Sequence, residues 1–150
     1  MPHDLSRFLK AQSEIYDRAR QELMEGRKQT HWMWFIFPQI AGLGHSPTAR
    51  HYAIADIDEA KAYLRDEVLG QRLRECVKLS LTHRRMTARQ IFGTPDDLKF
   101  RSCLTLFLQA ADSFQDKHLF EQALRQFYDG APDENTLQRL SRRQAQDLSP

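Results

Sequence analysis

Residues 31–39 read HWMWFIFPQ, and they hold the side chains best suited to build a site. Both tryptophans of the chain lie here, at positions 32 and 34, directly after a histidine. Aromatic rings can stack on a flat ligand, and a histidine changes its charge near neutral pH. The same rings could form the packing centre of a core, and a buried histidine is often structural. The segment therefore predicts either the wall of a pocket or solid core.

A glycine-rich segment follows, with Gly42, Gly44, His45 and Ser46. Glycines let a backbone approach a ligand closely and can turn amides toward an anion. A tight turn that needs a positive φ would require the same residues. The segment is thus interpreted either as a ligand-facing loop or as a turn.

The second candidate region begins near residue 95. Lys99 lies three residues after Asp96, a spacing that allows an ion pair on one helical face. Polar side chains on an apolar helix need partners, and a bound ligand is one possible partner. The alternative is that these polar residues cap the helix and lie on its solvent-exposed face. We expect acid–base chemistry from His31, Asp96 and Lys99. The predicted ligand contacts are Lys28, Trp32, Trp34, Phe35, Gln39, Gly42, Gly44, Ser46, Ser102 and Thr105.

The chain lacks the short motifs of phosphate loops, dinucleotide-binding turns and zinc proteases. Cys76 and Cys103 lie far apart without metal-ligand spacing, and no two histidines are four residues apart. We therefore predict no metal and no cofactor, and we expect the cysteines to be buried thiols in a reducing cytoplasm. Residues 1–5 lack the features of a signal peptide, and no run of about 18 apolar residues occurs. A cytoplasmic protein without a membrane segment is expected.

The net charge is +2, which is mildly basic. The densest basic groups are residues 83–85 with Arg89, and Arg139 with residues 142–143. A nucleic-acid-binding surface should be more basic and more one-sided than this. The charge therefore disfavours nucleic acid as a partner. Weak RNA binding through Arg84, Arg85 and Arg89 is the remaining form of that hypothesis.

Apolar residues recur at spacings of three and four along the chain, and no segment alternates with a period of two. We predict an all-α fold, a compact single domain over residues 1–150 with six or seven helices. A central apolar helix is expected at about 95–111. The other predicted helices are at about 5–25, 56–65, 68–81, 86–92, 116–129 and 133–142, with a short helix possible within 31–37 and a frayed polar tail at about 143–150.

Local signals predict the helix ends. Asp4 is expected to cap the first helix, and Asp56 with Glu59 resembles a capping box. Thr94 is expected to cap the central helix, with Pro95 at its first position. Glycines at positions 26 and 130 are expected to end the first and the penultimate long helix.

Four segments resemble the prokaryotic family catalogued as domain of unknown function 1810: HWMWFIFPQIAGLG, EAKAYL, LGQRLREC and IFGTPDDLKFRSCLTLF. The resemblance runs from about Leu5 to Leu140. It implies a small, all-helical, single-domain protein without an established activity. The family usually has two serines and a methionine before Thr-Leu-Phe, where this chain has Ser102, Cys103 and Leu104. This departure argues against a role that needs a hydroxyl at position 103.

A more distant resemblance is to the NADAR family, which is helical and handles ADP-ribose and related nucleotides. It is carried by the order of Tyr52, Ala88, Gly93, Asp97, Lys99 and Phe107. It implies a nucleotide-derived ligand. Two hypotheses follow: a pocket enzyme or binding protein for a nucleotide- or ADP-ribose-like metabolite, and a non-catalytic interaction or structural module whose aromatic block is core packing. The first requires residues 31–46 and 93–105 to meet around an open hollow.

Overall fold

A computed structural model describes the backbone of residues 3–148 and the side chains of residues 3–142. The all-α fold predicted from the sequence is confirmed. The helices in the described part of the chain are α1 (Ser6–Glu25), α2 (Met33–Ile36), α3 (Pro47–His51), α4 (Ile57–Arg65), α5 (Leu69–Leu81), α6 (Ala88–Phe92), α7 (Asp96–Ala110), α8 (Phe114–Tyr128) and α9 (Glu134–Leu148). The predicted frayed tail at about 143–150 lies outside the residues described with their side chains.

These nine described helices exceed the predicted six or seven because two are very short. Helix α2 has four residues and ends before Pro38, as the sequence predicts. Helix α3 was not predicted, and it forms because the Ser46 side chain accepts from the Ala49 amide while Pro47 takes the first helical position. Helix α9 continues to Leu148, past the predicted end near residue 142.

Helix α7 lies at the centre of the fold and packs against α4, α6, α8 and α9. Its Phe100, Leu104 and Phe107 side chains are fully buried. The ring of Phe100 lies 4.8 Å from that of Phe37 and 4.5 Å from that of Phe92, measured between centroids. A surrounded helix needs apolar side chains on nearly every side, which is the pattern that the sequence shows for α7.

Two predicted caps need correction. Asp4 accepts from the Ser6 amide, but the residue at the N-cap of α1 is Leu5. Pro95 is the N-cap residue of α7, without a side-chain cap, so Thr94 does not cap this helix. Its first turn is closed by the backbone instead, since the Gly93 carbonyl accepts from the Asp97 amide.

The other predicted ends vary in accuracy. Asp56 caps α4 as predicted, accepting from the Glu59 amide at 2.9 Å. The Glu59 carboxylate does not complete the box at Asp56, because it accepts from the Ala55 amide. Helix α8 ends at Tyr128, and its C-cap is Asp129 in the left-handed region (φ 54°), one residue before the predicted Gly130.

Among the described residues, no helix has the length and apolar character needed to cross a membrane. In the same part of the chain, no cluster of three or more His, Cys, Asp or Glu side chains could hold a metal ion. Cys76 and Cys103 are free and buried. Burial raises the pKa of the Cys76 thiol to about 12 and also raises that of Cys103.

Candidate functional site

Trp32 belongs to a closed polar cluster, the Glu22 cluster, formed by Glu22, Gln29, Thr30 and Trp32. The indole is 0% exposed, and its Nε1–H donates to Glu22 Oε1 at 2.9 Å. The same carboxylate accepts from the amides of Gln29 (2.7 Å) and Thr30 (3.0 Å) and from the Thr30 hydroxyl (2.7 Å). The predicted stacking of a ligand on Trp32 is therefore wrong, because no face of the ring is open.

Glu22 was not predicted as important, since it is a charged residue on an amphipathic helix. Burial alone would raise the pKa of its carboxyl group. Hydrogen bonds from Gln29, Thr30 and Trp32 outweigh this effect and lower the pKa to about 2. The group is thus charged at neutral pH, and it ties the segment before α2 to the end of α1.

Segment 31–39 divides between core and surface. Phe35 is buried against Tyr52, at 5.2 Å between ring centroids, so the predicted ligand contact at Phe35 is also wrong. His31 is exposed and lines neither of the hollows described below. Trp34 is half-buried, and the ammonium group of Lys99 lies 5.3 Å from the centre of its ring. Of Phe35, His31 and Trp34, it is Trp34 that lies beside a residue of the second candidate region.

Asp96 joins the two candidate regions through two lysines. Its Oδ2 lies 2.8 Å from Lys28 Nζ, and its Oδ1 lies 3.5 Å from Lys99 Nζ. Lys28 also donates to the Thr30 carbonyl at 2.7 Å, and its side chain is only 7% exposed. Lys28 therefore anchors the loop rather than contacting a ligand, which corrects its predicted role. The side chain of Lys99 is 28% exposed and so remains partly open to solvent.

The glycine segment is held against other parts of the protein. Gly42 has a φ of 100°, and a Cβ there would lie 2.8 Å from the Arg139 guanidinium. A Cβ at Gly44 would lie 2.7 Å from that of Ala49. The group that approaches the loop closely is thus the Arg139 side chain, whose Nη2 donates to the Gly42 carbonyl at 3.2 Å. Ser46, predicted as a ligand contact, caps α3 instead.

Ser102 and Thr105 attach the start of α9 to α7. The Ser102 hydroxyl lies 3.0 Å from Asp133 Oδ2, and the Thr105 hydroxyl accepts from the Asp133 amide at 2.9 Å. The same Asp133 oxygen accepts from the Thr136 amide at 3.1 Å. Thr105 is fully buried, so its predicted ligand contact is wrong. Ser102, in contrast, lies beside an open hollow.

That hollow, here called the α7 hollow, has a volume of about 260 Å³. It lies between the glycine segment, the first turns of α7 and the start of α9. Its lining residues are Gln39, Leu43, Gly44, Pro95, Leu98, Lys99, Arg101, Ser102, Asp133 and Asn135. Of the predicted site residues it contains Gln39, Gly44, Lys99 and Ser102.

A second hollow of about 340 Å³, the α9 hollow, adjoins it. It is lined by Gly42, Leu43, Asn135, Gln138, Arg139 and Arg142. Leu43 and Asn135 line both hollows, so the two are neighbours, and together they are here called the groove. The sequence shows Arg139 and Arg142 as a basic group on a helix, but nothing in it indicates that Arg139 contacts Gly42.

A hollow on another face contrasts with this groove. It has about 340 Å³ and lies beside Arg65, Arg74, Asp112 and Asp116. There Arg74 pairs with Asp116 at 2.7 Å and Arg65 with Asp112 at 3.0 Å. Its lining holds three cationic and four carboxylate side chains, so it has no surplus of positive charge. In the groove, by contrast, Arg101, Arg139 and Arg142 form none of the described ion pairs.

The fold and the groove define a small all-α protein with an open, basic groove beside its central helix. The model of the family described as "Protein of unknown function (DUF1810)" matches residues 2–140, and the chain belongs to this family. The crystal structure of the conserved hypothetical protein Rv1873 from Mycobacterium tuberculosis is similar, with 45% identity and a TM-score of 0.89. The match covers 94% of this chain and 99% of that chain. No curated protein is significantly similar.

Proposed function

We propose that this protein binds an anionic, nucleotide-derived small molecule in the groove formed by the α7 and α9 hollows. The observation that carries the proposal is the surplus of positive charge in the groove. Lys99, Arg101, Arg139 and Arg142 line it. Asp133 is its only lining carboxylate within the described residues, and one oxygen of Asp133 is occupied by Ser102 and Thr136. Arg101, Arg139 and Arg142 form none of the described ion pairs, and cations without an acidic partner favour an external anion.

The groove also offers an apolar surface for a base or another flat group. Leu98 is 56% exposed, and with Leu43 and Pro95 it lines the α7 hollow. Binding sites usually combine such apolar contacts with a few polar groups, in volumes of roughly 300–1,000 Å³. The two joined hollows fall in this range. The apolar contact is therefore assigned to Leu98 and Leu43, in place of Trp32 and Phe35.

The polar contacts are assigned to side chains that line the α7 hollow. Lys99 and Arg101 supply charge, and Gln39 supplies an amide group. Ser102 offers only its oxygen as an acceptor, because its O–H already donates to Asp133. Asp96 is a positioning residue, because it holds Lys99 beside Trp34 and does not itself line the groove. His31 lies outside the groove, and Asp96 is engaged by two lysines. The proposal is therefore one of binding, and it assigns no reaction.

Thermal unfolding with ADP-ribose, NAD and nucleotides tests the proposal. A ligand at about 100 times its dissociation constant stabilises the folded protein by roughly 2.7 kcal/mol, which raises the melting temperature by several degrees. Lys99→Gln should reduce the shift. Lys78→Gln is the matched control, because Lys78 is exposed on α5 and lines neither hollow. If none of these compounds shifts the wild-type protein, the proposal is wrong.

The second candidate is a non-catalytic interaction module whose aromatic block packs the core. It is favoured by the burial of Trp32, Phe35 and Phe37 and by Phe114, which is 79% exposed at the start of α8. Exposed aromatic side chains often mark interaction surfaces. This candidate predicts that none of the compounds above changes the melting temperature of the wild-type protein.

A further inference from the structure

We infer that the α9 hollow is an anion subsite that takes a phosphate group of the ligand, with the remainder of the ligand in the α7 hollow. The inference rests on the proposed function and adds to it a ligand class and an orientation. The ligand is a nucleoside diphosphate or a derivative of one, rather than an unphosphorylated nucleoside.

The lining of the α9 hollow is suited to an anion. Asn135, Gln138, Arg139 and Arg142 come from one face of α9, since residues three and four apart on a helix are neighbours. They present amide and guanidinium N–H groups, and no carboxylate is among the described lining residues. Arginine guanidinium groups bind phosphate through paired N–H donors. Leu43 is the one apolar side chain in the lining.

Arg139 is fixed in place before any ligand arrives. Its guanidinium donates to the Gly42 carbonyl at 3.2 Å, and it lies where a side chain at position 42 would be. A guanidinium has five N–H donors, so this single bond leaves others for an anion. A side chain already held in its binding conformation loses less entropy on binding. The glycine and the arginine therefore form one unit, although 97 residues separate them.

The orientation follows from the contrast between the hollows. The exposed Leu98 belongs to the α7 hollow, whereas the α9 hollow is almost entirely polar. Leu43 and Asn135 line both, so a ligand can extend from one to the other. Because cations lie in both hollows, the arrangement fits a ligand with more than one anionic group. A nucleoside with two phosphates meets this requirement.

Isothermal titration calorimetry with adenosine, ADP and inorganic pyrophosphate tests the inference on the wild-type protein and on Arg142→Gln. Arg142 is chosen because it is exposed and makes no hydrogen bond to the described residues, so the variant should fold. Arg84→Gln is the control, as Arg84 is an exposed arginine that lines neither hollow. Circular dichroism checks that both variants are folded.

We expect ADP to bind the wild-type protein at least tenfold more tightly than adenosine. Arg142→Gln should remove most of this difference and weaken pyrophosphate binding, while adenosine binding and the Arg84→Gln control stay unchanged. Equal ADP affinity in wild type and Arg142→Gln overturns the subsite, and so does the absence of ADP and pyrophosphate binding. Adenosine binding with no gain from phosphates overturns the subsite but leaves a nucleotide-type groove. Pyrophosphate binding that depends on Arg142 supports the subsite, and if neither ADP nor ADP-ribose then binds, the proposed function is refuted.

Discussion

Trp32 and Trp34 are two positions apart in the sequence and have opposite surroundings. Trp32 is fully buried, with its indole N–H bound to the Glu22 carboxylate. Trp34 is half-buried, and its ring faces the ammonium group of Lys99 beside the groove. Residues two apart on one turn of a helix do not share a face, so a dense aromatic segment can serve both core and surface.

The wider comparison is between the Glu22 cluster and the groove. In the cluster, four donors from residues 29–32 and the Arg18 guanidinium converge on one carboxylate. In the groove, the described structure leaves Arg142 without a hydrogen bond and Lys99 with one long ion pair. Polar groups satisfied inside the protein stabilise its fold, whereas exposed and unmatched donors are available to a ligand. Changes in the first region should therefore affect stability, and changes in the second should affect binding.

The largest expected effect is on stability, from the tryptophans. Trp32→Ala should lower the free energy of unfolding by roughly 3–5 kcal/mol, the usual cost of removing a buried aromatic ring. It also leaves the Glu22 carboxylate without one donor. Trp34→Ala should cost less than half as much, because its ring is only half-buried. Urea unfolding of both variants measures the difference. Equal losses of unfolding free energy would contradict the assignment of Trp32 to the core and of Trp34 to the surface.

The next effect concerns the charge of Glu22. Glu22→Gln should lower the free energy of unfolding at pH 7 by roughly 1.5–3 kcal/mol, since hydrogen bonds to a charged group are lost. The folded-state pKa of about 2 lies below the ordinary value of 4.5. The contribution of the carboxylate is therefore fully present above pH 4.5 and is lost as the pH falls toward 2.

Thermal unfolding of wild type and Glu22→Gln across this pH range separates the Glu22 contribution from general acid destabilisation. The stability difference between the two proteins should shrink as the pH falls. A difference that stays constant from pH 7 to pH 2 would contradict the depressed pKa of Glu22.

Substitution of Gly42, which lines the groove, should have a smaller effect on stability. Gly42→Ala should cost roughly 1–3 kcal/mol, because a positive φ is strained for alanine and the new Cβ meets the Arg139 guanidinium. Gly130→Ala is the control, since Gly130 also has a positive φ but an added Cβ would make only an ordinary contact, 3.8 Å from Arg125 Cγ. Both variants can be compared by urea unfolding. A loss no greater at Gly42 than at Gly130 would show that the Arg139 side chain moves aside at no cost.

The smallest stability effect is expected in the groove itself. Lys99→Gln removes a partly exposed ion pair with Asp96, and such pairs contribute roughly 0–1 kcal/mol. Its melting temperature should stay within a few degrees of that of the wild type, while its ligand-induced shift falls. Differential scanning fluorimetry measures both quantities in one experiment. A large loss of stability in the absence of ligand would show that Lys99 mainly stabilises the fold.

The sequence predicts the elements of this fold better than the geometry of its candidate site. Helix α7 can be recognised because it has apolar residues on nearly every side. The start of α4 can be recognised from its N-cap residue, Asp56. Local patterns do not reveal that Glu22 is buried, because an acidic residue on an amphipathic helix is usually solvated. They also do not reveal that Arg139 meets Gly42, since that contact depends on how distant segments pack.

The most direct test of the contrast between the Glu22 cluster and the groove is an NMR titration. Backbone amide shifts of the ¹⁵N-labelled protein are followed while ADP-ribose is added. We expect the changes to concentrate in residues 39–44, 95–102 and 133–142, with the amides of Gln29 and Thr30 in the Glu22 cluster unmoved. Changes centred on the Glu22 cluster, or no changes at all, would contradict the assignment of ligand binding to the groove.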